Sequence, residues 1–306
     1  MIVVVGEALV DLVVDAKGSV TAALGGAPVN TARACGRLGA DVSFGGAISV
    51  DRFGSMLADQ LSADNVALDL VERCDEPTTL AVAELDERGT ASYRFYVEGT
   101  SAPSYTTKLE DRRPEWLFTG GLGLVFEPIA DTVEAMLEDR PAGCAVMVDV
   151  NCRPRVVRDR DRYLSRIGRV VERADVVKVS DDDVAYLTPG VAPLDAARAL
   201  LTRGPRAVLL TAGGAAVRVL TTGGKVELSV PRVDVVDTIG AGDAFSGGFL
   251  ASWSVGGRTG DALDDLAQLG EAASAAVAVA AVTCTRRGAD PPWRHELSRD
   301  WSERRS

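Results

Sequence analysis

The sequence predicts an α/β protein with a mainly parallel central sheet covered by helices on both faces. Two observations carry that prediction. Short β-branched runs at 2–5, 42–44, 116–119, 145–150, 176–179 and 207–211 are strand-like, the first being Ile2-Val3-Val4-Val5. Between them, 29–38, 53–61, 129–137, 163–171 and 194–201 repeat apolar residues at helical spacing. Strands that alternate with helices pair in parallel, because each helix carries the chain back along one face of the sheet. Ligands of such sheets collect at the carboxyl ends of the strands, so the loops that follow them are where chemistry is sought.

One region breaks the alternation. The runs 79–85 and 91–97 flank Asp86-Glu87-Arg88-Gly89-Thr90, a hairpin with a glycine-containing loop. With 12–14 it is expected to form a small second sheet. Tyr93, Arg94, Phe95 and Tyr96 then face a substrate cleft or another subunit, unless the hairpin simply fills a sheet edge. No internal repeat or interdomain linker interrupts the chain, and the mixed charges after about Arg294 are expected to fray.

The 306 residues are 46% hydrophobic and 25% charged, enough to bury a sizeable core. Thirty-three basic residues against 44 acidic ones leave a net charge of −11, which disfavours a nucleic-acid partner. The single histidine, His295, excludes Ser-His-Asp triads and multi-histidine metal centres, so proton transfer falls to carboxylates. Cysteines 35, 74, 144, 152 and 284 form no CxxC pair and read as reduced thiols. The chain opens on a strand with no basic leader, and its longest apolar stretch, 272–282, is short for a bilayer. A cytoplasmic protein without a membrane partner is expected.

The most informative segment runs from Asp237 to Phe249 and opens a helical run at 244–253. Gly240 and Gly242 let backbone N–H groups converge at a helix N-terminus, where the dipole also favours an anion. Beside that hole, Asp243 is placed as a general base for a hydroxyl attacking a phosphoryl group. The bare Gly-x-Gly-Asp pattern reads equally as ordinary helix capping. It is not a Walker A loop, and Phe245 and Ala244 exclude the dinucleotide fingerprint and the nucleophile elbow.

With Ala-Phe-Ser-Gly-Gly after it, Asp237-Thr-Ile-Gly-Ala-Gly-Asp243 resembles the C-terminal signature of the ribokinase-like (phosphofructokinase-B type) carbohydrate kinases. Gly25-Gly26-Ala27-Pro28-Val29-Asn30-Thr31-Ala32, followed by Gly36-Arg37-Leu38-Gly39, resembles the N-terminal signature, and Gly6-Glu7 with Asp11 the first-strand sugar turn. Asp149-Val-Asn151-Cys-Arg153-Pro154, Lys178-Val-Ser180, Thr211-Ala-Gly213-Gly214 and the segment 284–291 fall at the family's recurrent loops, so the resemblance covers 1–294.

The resemblance implies a single ribokinase-like three-layer domain over 1–294, with a small β-sheet lid near 12–24 and 79–104 and a tail at 295–306. It implies an ATP-dependent sugar kinase, most similar to the fructokinase branch, that makes fructose 6-phosphate. Kinases of 2-keto-3-deoxygluconate, ribose or a nucleoside, and an inactive sugar-binding regulator, stand as alternatives. Asp243 becomes the base and the amides of Gly240, Ala241, Gly242 and Asp243 the anion hole. Asp11, Gly25, Gly26, Asn30, Arg94 and Arg153 take the sugar. Lys178, Ser180, Thr211, Gly213, Gly214 and Gly242 take the nucleotide, with 272–288 walling its adenine. The family's Asn-x-x-Glu pattern appears as Ser180-Asp181-Asp182-Asp183, so Asp183 stands for the glutamate that meets Mg²⁺ through water, or these acids simply open a helix. Asp237 is implied as a ligand of a monovalent cation such as K⁺, and the lid edge as a homodimer contact.

Overall fold

In the computed structural model, which describes residues 1–85, 91–109 and 112–302, the strands belong to two sheets. In chain order the elements are β1 (Ile2–Val5), β2 (Leu9–Val14), β3 (Val20–Gly25), α1 (Ala27–Arg37), β4 (Val42–Ser49), α2 (Arg52–Ala63), β5 (Ala67–Cys74), β6 (Leu80–Leu85), β7 (Ala91–Tyr96) and β8 (Trp116–Gly120). There follow α3 (Ile129–Glu138), β9 (Ala145–Asp149), α4 (Arg160–Arg173), β10 (Val176–Ser180), α5 (Asp181–Leu187), α6 (Pro193–Leu201), β11 (Ala207–Thr211), β12 (Ala216–Thr221), β13 (Gly224–Ser229), α7 (Ala241–Val255) and α8 (Leu266–Cys284).

Among the described residues the main sheet has nine strands in the order β13-β12-β11-β10-β9-β8-β1-β4-β5. Neighbours from β11 to β5 pair in parallel, and β12 and β13 add an antiparallel edge. Period-2 alternation divides the core. Ile2, Val4, Trp116, Phe118 and Met147 point to one face, packed under α1, α2, α7 and α8. Val3, Val5, Leu117, Val146 and Val148 point to the other, under α3, α4, α5 and α6. Trp116 meets Phe249 and Trp253 of α7 edge-on, with centroids 6.4 and 6.1 Å away. The mainly parallel three-layer fold expected from the sequence is therefore present.

The second sheet runs β3-β2-β6-β7, so the hairpin predicted at 79–97 joins the strands predicted near 12–24. Its turn at 86–90 lies outside the described residues. Several elements exceed the sequence reading. The strand at 42–44 continues to Ser49, and β5, β12 and β13 were not anticipated, because these outer strands are punctuated by polar residues such as Glu72, Arg218 and Glu227. Helix α8 is 19 residues long and extends the apolar stretch 272–282 at both ends, so that, unlike that stretch, it is apolar and long enough to cross a membrane. Here Ala272, Ala273, Ala276 and Val279 bury it in the core.

The expected fraying past Arg294 does not hold for 295–302. Trp301 is buried, and its indole N–H donates to the Ala275 carbonyl at 2.9 Å, anchoring the end of the described chain on α8.

Candidate active site

The carboxyl ends of β1, β8, β9, β10 and β11 lie along one edge of the main sheet, and the N-termini of α1 and α7 meet there. Gly240 caps α7 with φ 74°, a left-handed conformation natural only to glycine, and a side chain there would collide with Ala289. The cap turns the first amides of α7 outward. Ala241 N–H is spent on the Thr238 carbonyl at 3.2 Å. Among the described residues no backbone acceptor faces the amides of Gly240, Gly242 and Asp243, so these three are free to bind an anion.

Asp243 sits in the first turn of α7 and is 9% exposed. Its Oδ2 accepts from Asn30 Nδ2 at 2.9 Å, and Thr31 Oγ1 donates to its carbonyl at 3.3 Å. Burial holds its carboxyl above the usual range, opposed by the Asn30 hydrogen bond and the charges of Lys178 and Arg153. A carboxylate with raised proton affinity is better suited to take a hydroxyl proton near neutral pH. Asn30 Oδ1 is buried without a partner, an acceptor waiting for a donor such as a hydroxyl.

Asp11 reaches the same place from the second sheet. A Cβ on Gly25 would stand 2.6 Å from its Oδ2. Burial pushes its carboxyl up to about 6, the negative charge of Asp243 adds to the rise, and Arg153 opposes it. Gly26, at φ 108°, opens α1 behind this pair. Asp11, Gly25, Gly26, Asn30, Arg153 and Asp243 are thus brought together.

Arg94 is not. In the second sheet Asp11 pairs with Ala81 and Ala81 with Phe95, which shares the Asp11 face; Arg94 pairs with Val82 and points the other way. It is 65% exposed and meets Glu84 at 3.4 Å.

Lys178 was expected at the nucleotide. It is a buried ammonium, bonded to both oxygens of Asp149 at 3.0 and 2.9 Å, and a Cβ on Gly242 would lie 3.1 Å from its Nζ, so its charge lies against the anion hole. Asp149, whose carboxyl burial pushes up to about 6 against the pull of Lys178, also accepts from Ser246 Oγ at 3.1 Å. The pair supports the base of the anion hole. Ser180 and Thr211 end adjacent strands in register, and Gly213 and Gly214 follow in open space. This strip continues from the hole.

Asp183 closes a capping box on Ser180: Oδ2 accepts from Ser180 N and Oγ, and Oδ1 from Cys152 N at 2.6 Å. Asp183, expected to meet Mg²⁺ through water, takes both Ser180 donors on Oδ2 and a single donor on Oδ1, which keeps a lone pair for a water. Asp181, Asp182 and Asp183 open α5, and Asp183 closes its capping box. Asp237 accepts from Ile239 N at 3.0 Å and Gly288 N at 2.9 Å, tying the loop before α7 to the loop after α8.

Two residues of this edge stood inside recognised motifs without a role of their own. Glu7 and Asp149 are buried carboxylates at the ends of β1 and β9, and their signal is that position: an acid where a parallel strand stops. A cavity of about 880 Å³ opens beside the cluster, between Phe95 and Tyr96 of β7, Leu124, and Arg155, Arg158 and Arg162; Asp243 lies outside it.

The model of the pfkB family of carbohydrate kinases matches residues 1–296. A fructokinase of Rhizobium leguminosarum bv. trifolii is 36% identical over 260 residues, 82% of this chain and 79% of that protein. The crystal structure of a Xylella fastidiosa fructokinase with bound ATP superposes with a TM-score of 0.85 at 29% identity, covering 94% and 93% of the two chains. That of the Salmonella enterica aminoimidazole riboside kinase, with its riboside and an ATP analogue, gives 0.82 at 30%, covering 94% of both.

Proposed function

We infer from the pfkB family of carbohydrate kinases, to which this chain belongs, that it transfers the γ-phosphoryl group of ATP to the primary hydroxyl of fructose, making fructose 6-phosphate. The observation that carries the reading is the pairing of a buried base with a helix N-terminus whose amides lack acceptors. Fructose lies between Asp11, Gly25, Asn30 and Arg153, with its 6-hydroxyl toward Asp243. As the hydroxyl oxygen bonds to the γ-phosphorus, its proton passes to Asp243 and the bond to the β-phosphate oxygen breaks, leaving ADP. The amides of Gly240, Gly242 and Asp243 hold the charge on the transferred group, and buried Lys178 adds positive potential behind them. Phosphates extend from the hole along Ser180, Thr211, Gly213 and Gly214.

Mg²⁺ would enter with the nucleotide phosphates, and Asp183 at the start of α5 would meet it through water. A monovalent cation sits by Asp237, whose carboxylate ties the loop before α7 to the loop after α8, and exchange of K⁺ for Na⁺ at matched ionic strength lowers the rate. A second reading, a riboside as acceptor, is favoured by the likeness to the Salmonella riboside kinase. A coupled ADP-release assay over fructose, ribose, glucose, aminoimidazole riboside and 2-keto-3-deoxygluconate separates them. Fructose is expected to give the highest kcat/KM; a riboside optimum would replace the acceptor but keep the chemistry, and no turnover on any would leave a sugar-binding regulator.

A further inference from the structure

We propose that Glu7 is a positioning residue that holds the acceptor-binding turn in register with the catalytic base, an inference that rests on the sugar-kinase reading above. Glu7 follows β1 and is 2% exposed. Its carboxylate joins two segments far apart in the chain. Oε1 accepts from the amide of Ala27, the first residue of α1, at 3.2 Å, and Oε2 from the amide of Gly123, in the turn after β8, at 2.8 Å. The fit around it is close. A Cβ on Gly26 would collide with the Glu7 carbonyl oxygen, and one on Gly121 would lie 3.0 Å from Oε1.

From Ala27 the helix advances one turn to Asn30, whose amide N–H bonds the Gly26 carbonyl at 2.9 Å and whose side chain holds Asp243. A continuous path therefore runs from Gly123 through Glu7, Ala27 and Asn30 to Asp243. Only a carboxylate serves it at both ends, because both partners are donors and each oxygen must accept. Glutamine keeps the volume but turns an NH₂ toward one of the two amides, so Glu7→Gln cuts one tether without opening a cavity. Burial without an adjacent cation, which pushes this carboxyl up to about 7, is tolerated because the amides and the field of Arg153 favour its anion.

The test compares Glu7→Gln and Glu7→Asp with the parent enzyme in steady-state kinetics on fructose and ATP, alongside amide hydrogen exchange. Glu7→Gln should raise the fructose KM about tenfold or more while the ATP KM stays within about twofold, and exchange should quicken at 26–31. Unchanged kinetics and exchange in a folded Glu7→Gln protein would overturn the proposal. So would a matched rise in both KM values, which marks general loosening. Should Glu7→Gln fail to fold, Glu7→Asp is read for the same split, and loss of folding in both assigns Glu7 a structural role only. A parent inert on every sugar overturns the kinase reading and this role with it, whereas an active parent with an indifferent Glu7→Gln overturns this role alone.

Discussion

The edge of the main sheet and the small second sheet contribute to one site by opposite means. At the edge, Asp243, Asn30, Asp149 and Lys178 are nearly excluded from solvent, and each is held by a partner contributed from a different element. In the second sheet β3 is largely exposed, and the Arg94 ion pair stands in water with 65% and 47% of its side chains accessible. The charges at the edge are costly and fixed by burial; the exposed Arg94–Glu84 pair of the second sheet is cheap, and Asp11 alone carries the burial of the edge into that sheet.

The largest effect is expected at the base. Asp243→Asn should lower kcat by roughly 10² to 10⁴ while the fold and nucleotide binding persist. Near-normal turnover by the folded variant would remove Asp243 from the mechanism and the contrast with it.

Next comes the ion pair beneath the anion hole. Lys178→Met leaves Asp149 buried without its cation, and breaking such a pair costs about 3–5 kcal/mol. Chemical denaturation reads this loss directly. A cost below about 1 kcal/mol would place Lys178 with the surface pairs of the second sheet.

Asp11 joins the two regions and sharpens the comparison through pH. Its carboxyl, like that of Asp149, is pushed up to about 6 by burial, so the folded chain keeps protons there that the unfolded chain has released. Their contribution to stability is therefore full below the ordinary aspartate range and is lost as pH rises through about 6. Asp11→Asn removes one of these groups. Its melting temperature should exceed the parent's at pH 8 by about 1–2 °C, the shift expected of roughly 1 kcal/mol in a chain this long, and match it at pH 4. The same change should raise the fructose KM about tenfold with ATP little affected. A variant less stable than the parent at pH 8 would contradict the burial cost.

The smallest effect belongs to Arg94. Arg94→Ala should alter stability by no more than about 0.5 kcal/mol and leave the fructose KM unchanged, as expected for an exposed pair on the far face of β7. A large rise in that KM would bring Arg94 back to the acceptor, by movement of the second sheet or from a second copy of the chain.

Much of this was legible in the residues alone, for reasons that are local. A parallel sheet is announced by the βα alternation, since each buried strand and its crossover helix must carry their own apolar pattern. The turn Gly240 to Asp243 is likewise encoded where it stands, because a left-handed cap needs glycine and the next amides of a helix have nowhere to bond. What only the tertiary structure decided depends on groups distant in the chain. Asn30 meets Asp243 across 213 positions, and Lys178 bonds Asp149 because an ammonium buried at that depth needs a carboxylate. Strand register, which no single residue carries, set Arg94 on the face opposite Asp11. Glu7 is plain in the sequence as one more acid, and only the approach of Ala27 and Gly123 to its two oxygens makes it a tether.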